Sequence, residues 1–117
     1  MKLIEIAEKL QLKNLTPEIK PDPVTDVQWG YASDLLSDVL AGASAGAVLV
    51  TIQVHMNVIA VAANVDLSAV VFASGRRPDE TVIKRAVQEG IPLYGTEETT
   101  FDVAGKLYKL GLRGHRA

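Results

Sequence analysis

Two short stretches concentrate the residue types that bind anions or move protons. Ser74-Gly75-Arg76-Arg77-Pro78-Asp79 combines a conformationally free glycine with two guanidinium groups. If it opens a helix, free backbone amides would join them in holding a carboxylate or phosphate. Thr51-Ile52-Gln53-Val54-His55-Met56-Asn57 sets a hydroxyl, two amides and an imidazole within seven residues, the makings of a polar ligand site. Each has a plainer reading. Gly75 fits a turn, Pro78 begins a helix and the arginines are solvated, while Gln53 and Asn57 cap backbone groups and His55 satisfies its own buried hydrogen bonds. A third stretch, Gly95-Thr96-Glu97-Glu98-Thr99-Thr100, reads as helix capping, with Thr99 three residues before Asp102.

Signatures of established chemistry are missing. A phosphate-wrapping P-loop needs Gly, four residues, then Gly-Lys-Ser/Thr, and no such string occurs; nor does Gly-x-Gly-x-x-Gly. With no cysteine, disulfides, thiolate zinc sites and cysteine nucleophiles are excluded. Asp34 and Asp38 are spaced one helical turn apart, which suits a solvated face better than a cation cage. Ser33, Asp34 and His55 form a triad on paper only, because no nucleophile elbow surrounds them. No catalytic residue, metal site or cofactor is assigned.

The elements that would position these loops alternate. Leu3, Ile6, Ala7 and Leu10 space an opening amphipathic helix. Leu12 to Leu15 reads as a short strand, and prolines at 17, 21 and 23 mark a surface connection. Alternation from Val24 to Trp29 predicts a strand ending at Gly30. A helix follows from near Ser33, its N-cap, with Asp34 in the first turn and Gly42 as its stop. Ala47 to Ile52 and Ala69 to Ala73 are continuous apolar runs, as in strands covered on both faces. Helices are predicted over His55 to Val65, after Glu80 to Gly90, and from Thr100 to Gly111, with a short strand at Pro92-Leu93-Tyr94. Arg113 to Ala117 reads as a frayed end.

This pattern implies one α/β domain over residues 1–117, a largely parallel sheet of about 4–6 strands with helices on both faces. In such a sheet ligands collect at the carboxyl ends of the strands. Composition agrees with a folding soluble unit: 48% of residues are apolar and 22% charged. Twelve basic against fourteen acidic residues, a net charge of −2, speak against nucleic acid as a partner. The apolar runs are too short to span a membrane, the opening residues carry acids unlike an export signal, and a cytoplasmic location is expected.

Gly30-Tyr31-Ala32-Ser33-Asp34-Leu35-Leu36-Ser37-Asp38-Val39-Leu40, the Thr51 to Asn57 loop and Ser74 to Asp79, with Thr100-Phe101 and Gly105-Lys106-Leu107-Tyr108, together resemble the DRTGG-domain family. The name-giving motif is absent as a string; Ser74-Gly75-Arg76 stands where many relatives have Thr-Gly-Gly. The resemblance implies a compact fold like the amino-terminal domain of HPr kinase/phosphorylase and the middle domain of some phosphotransacetylases, regulatory or dimer-forming in those settings. Small stand-alone versions like this one resemble proteins encoded beside iron hydrogenases and sometimes labelled serine kinases, a label the missing P-loop does not support. The expectation is a non-catalytic, homodimeric regulatory module. It would bind a nucleotide or other anion through Gly75, Arg76 and Arg77, with Ser33, Asp34, Thr51, Gln53, His55 and Asn57 completing the pocket. The alternatives are a protein-interaction scaffold, in which the same loops are caps and turns, and a phosphoryl- or acyl-transfer enzyme with His55 as base.

Overall fold

The computed structural model describes residues 1–20 and 24–115. Five strands form one sheet in the order β1-β5-β4-β3-β2: β1 (Lys13–Asn14), β2 (Trp29–Ala32), β3 (Ala47–Thr51), β4 (Ala69–Phe72) and β5 (Leu93–Gly95). β2 to β5 run parallel, and β1 pairs antiparallel with β5 in the register Lys13 to Gly95. The sequence-based architecture therefore holds, with five strands and helices on both faces.

The two central strands explain why the sheet is covered twice. Along β3 and β4 every residue is buried. Ala47, Leu49, Val70 and Phe72 face a core built with Val39 and Ala43, Val58, Ile59 and Ala62, and Val82, Ile83 and Ala86. These residues come from or adjoin α2 (Leu36–Gly42), α3 (Asn57–Asn64) and α4 (Glu80–Glu89). Val48, Val50, Ala69 and Val71 face the opposite way, onto Leu3 and Ile6 of α1 (Leu3–Lys9) and Val103 and Leu107 of α5 (Thr100–Leu110). The period-two alternation of a strand thus divides one apolar run between two cores.

Three predicted boundaries move for identifiable reasons. β2 begins at Trp29 and passes through Gly30, rather than running from Val24 and stopping there. Val27 is fully buried, but its N–H donates to the Met1 carbonyl instead of a strand neighbour. Gly30 sits on the sheet's edge, where its N–H donates to the Arg113 carbonyl at 3.0 Å. The carboxyl-terminal stretch is accordingly tied down as far as His115, which stacks on Trp29 (4.5 Å between centroids) and hydrogen-bonds Ser44 Oγ through Nδ1 at 2.8 Å. The expected fraying does not apply to 113–115, and residues 116–117 lie outside the described residues.

In the amino-terminal third, the proline segment is only partly superficial. Thr16 is buried and its Oγ1 accepts from the Leu93 N–H at 3.1 Å, while residues 21–23 lie outside the described residues. α2 starts at Leu36, so Ser33 is not its N-cap and Asp34 is not in its first turn. Ser33 Oγ instead accepts from the Leu35 N–H at 3.2 Å, a local turn that delays the helix.

Candidate functional site

Because β2 to β5 are parallel, Ala32, Thr51, Phe72 and Gly95 all deliver their following loops to one end of the sheet, the end where ligands bind in open α/β folds. The antiparallel β1 brings its own first residue, Lys13, to the same crest beside Gly95. The nine candidate residues all lie on this crest, but in two groups.

Over β2 and β3 the polar side chains bond to one another and to the local backbone. Asp34 Oδ1 accepts from Thr51 Oγ1 at 3.0 Å and from the Ile52 N–H at 2.9 Å. Thr51 Oγ1, fully buried, accepts in turn from the Gln53 N–H at 3.0 Å. Gln53 Oε1 accepts from the His55 N–H at 3.2 Å, and His55 Nδ1 from the Asn57 N–H at 3.0 Å. The His55 ring is exposed rather than buried, and a neutral ring with Nδ1 accepting carries its proton on Nε2. Asp34 is thus a staple between the β2 and β3 loops. Asp38 does not pair with it to face solvent, since its Oδ2 accepts from the Tyr31 hydroxyl at 2.8 Å.

Over β4, β5 and β1 the arrangement differs. Ser74 and Gly75 both adopt left-handed backbone, with φ of 58° and 69°. In this turn the Ser74 N–H donates to the Glu98 carbonyl at 2.7 Å, the Gly75 N–H to Thr96 at 2.9 Å and the Arg76 N–H to Ala73 at 3.1 Å. The amides of Ser74, Gly75 and Arg76 are therefore taken and do not face an anion. The left-handed φ favours glycine at residue 75, and a Cβ there would push the exposed Glu97 carboxylate aside. Pro78 precedes α4 instead of beginning it; Asp79 is the cap, its Oδ1 accepting from the Val82 N–H at 3.1 Å.

A cavity of about 270 Å³ opens here, lined by Gln11, Lys13, Leu15, Gly75, Arg76, Arg77, Gly95, Thr96 and Glu97. None of Ser33, Asp34, Thr51, Gln53, His55 or Asn57 lines it. Arg77 reaches Glu80 at 3.3 Å in an exposed pair, and Lys106 pairs with Glu98, neither of which lines the cavity. Among the described residues Lys13, Arg76 and Glu97 enter no ion pair. Thr99 caps α5, its Oγ1 accepting from the Asp102 N–H at 3.2 Å. Tyr94 faces the α1/α5 core, where burial raises its phenol above the ordinary tyrosine range.

Sequence reasoning missed Lys13 and Gln11. The sequence predicts the short strand over Leu12 to Leu15, but not its antiparallel pairing with β5, which brings Lys13 to the crest, with Gln11 just before it. No group of three or more His, Asp or Glu able to hold a metal ion occurs among the described residues, and no described helix is long and apolar enough to cross a membrane.

No family model and no curated protein matches the sequence. A solved structure does: the CBS and DRTGG domains of the regulatory region of Clostridium perfringens pyrophosphatase, crystallised with its activator diadenosine tetraphosphate. The likeness is one of fold. The TM-score is 0.66 at 16% identity, over 89% of this chain and 44% of that one, so this chain spans less than half of the region it matches.

Proposed function

We propose that the chain is a non-catalytic regulatory module of DRTGG type, cytoplasmic and homodimeric, which senses an anionic small molecule of the nucleotide class. The observation that carries this reading is the cavity at the carboxyl ends of β4 and β5, where Lys13 and Arg76 present cationic groups that enter no ion pair among the described residues. Placement at the ligand end of the sheet supports it, as does the fold shared with a regulatory region that was crystallised with a dinucleotide activator. With the Ser74, Gly75 and Arg76 amides already bonded, the main grip on an anion comes from the Lys13, Arg76 and Arg77 side chains at the surface. Binding of that kind weakens with ionic strength.

The enzyme alternative draws no support from the geometry. His55 accepts a backbone N–H through Nδ1 and does not line the cavity that holds the arginines. A scaffold reading, including one within an iron hydrogenase system, is favoured by a single feature, the exposed aromatic face of α5, where Phe101 is 85% exposed. Titration with adenosine nucleotides and inorganic pyrophosphate, followed by the melting temperature, separates the readings. The sensor gives a shift that is lost in Arg76→Ala/Arg77→Ala; a pure scaffold gives none.

A further inference from the structure

Helix α5 contains a glycine that its own chain does not need. Gly105 lies mid-helix, where glycine sacrifices more backbone entropy than alanine. It is not among the left-handed glycines, and a Cβ placed on it would meet nothing within 4 Å. Neither conformation nor internal packing accounts for it. A close approach from outside the chain would.

The residues around it define what could approach. Val103 and Leu107 bury one face of α5 against the sheet. Phe101, Ala104, Gly105 and Tyr108 follow at i, i+3, i+4 and i+7, which aligns them along a second face. Phe101 is 85% exposed and Tyr108 59%, so two aromatic rings flank a centre of small residues. Beside this stripe an apolar groove of about 140 Å³ is lined by Ala104, Leu107, Tyr108 and Leu112, with Gly30 to Ala32 of β2 across from them.

Charge selects the occupant. Asp102 lies in the first turn and Lys109 in the last, both exposed and neither in an ion pair among the described residues. When two copies of α5 cross antiparallel about a twofold axis at Gly105, Asp102 of each meets Lys109 of the other. Arg113, whose guanidinium lies 3.7 Å from the Tyr108 ring centroid, adds a second cation at that end. Phe101 of each copy then lies at the Tyr108 end of its partner, by the groove. A face that is its own complement is what an isologous dimer requires.

We propose that this face of α5 is the docking surface for a second copy of the chain, paired antiparallel through Phe101, Gly105 and Tyr108 with reciprocal Asp102–Lys109 contacts. It rests on the homodimeric part of the function proposed above and is independent of the anion cavity.

Sedimentation velocity over a micromolar concentration series tests it. The wild type is expected to dimerise, and Phe101→Ala to weaken the dimer by roughly tenfold or more, as loss of an aromatic anchor does. Asp102→Lys and Lys109→Asp are each expected to be monomeric alone. Mixed in equal amounts they restore a dimer, because each reversed charge then meets its opposite. Unchanged far-UV circular dichroism and melting in the variants exclude misfolding. A wild type that stays monomeric throughout overturns the proposal. So does a dimer indifferent to Phe101→Ala and both reversals, or a mixture that stays monomeric. The nucleotide-induced melting shift, read on the same variants, reports separately on the anion site.

Discussion

The two halves of the crest are made of the same kind of sequence, a polar loop after an apolar strand, yet their polar groups have opposite fates. Over β2 and β3, Asp34, Thr51, Gln53 and His55 form a relay in which each side chain accepts a hydrogen bond from its neighbour's backbone or side chain. Over β4, β5 and β1, Lys13, Arg76 and Glu97 surround a cavity and pair with nothing among the described residues. The polar groups of the first half are bonded to one another and to the local backbone, and those of the second face a cavity. What separates them is commitment of the groups, which residue type alone does not reveal.

The sharpest way to break this contrast is Asp34→Ala. It strips the buried Thr51 hydroxyl and the Ile52 N–H of their acceptor, and is expected to destabilise the fold by about 1–3 kcal/mol in chemical denaturation. Asp34→Asn retains an acceptor oxygen and should recover part of the loss. Gly75→Ala comes next, at about 1–2 kcal/mol, because a left-handed φ of 69° strains any side chain. Adding Glu97→Ala should relieve only the portion due to the collision with that carboxylate.

Smaller effects sharpen the division. His55→Ala removes an acceptor for the Asn57 N–H at the start of α3, a capping loss of roughly 0.5–1 kcal/mol. Arg76→Ala with Arg77→Ala should leave stability within about 0.5 kcal/mol, since both side chains are exposed and only the surface pair with Glu80 is lost. A large stability loss in that double variant would mean that the arginines belong to the structural half.

The sequence made the centre of this fold legible and its margins less so. β3, β4, α4 and α5 fall where apolar runs, the Thr99 cap and the glycines at 90 and 111 predict them. Burial on both faces leaves few alternatives for such runs. β2 was displaced because its partners are distant in sequence: β3 on one side and the Arg113 carbonyl on the other. At the crest, residue types were readable and hydrogen-bond partners were not. Asp34 looked like a helix-dipole residue until Thr51 claimed it, and the amides after Ser74 looked free until Thr96, Glu98 and Ala73 took them. The strand around Lys13 was legible, but its antiparallel pairing beside Gly95, which brings Lys13 to the crest, was not.

The most direct test of the division is the melting temperature of the wild type, Lys13→Ala, Arg76→Ala/Arg77→Ala and His55→Ala, each with and without adenosine nucleotides and inorganic pyrophosphate at low salt. A ligand at ten times its Kd adds about 1.4 kcal/mol to the stability of the folded state, a shift of several degrees in a domain of this size. The expected result is a shift in the wild type and in His55→Ala that shrinks in Lys13→Ala and vanishes in the arginine double variant. No shift with any anion, or a shift abolished by His55→Ala and kept by the arginine variant, would contradict the assignment of ligand binding to the β4–β5 half of the crest.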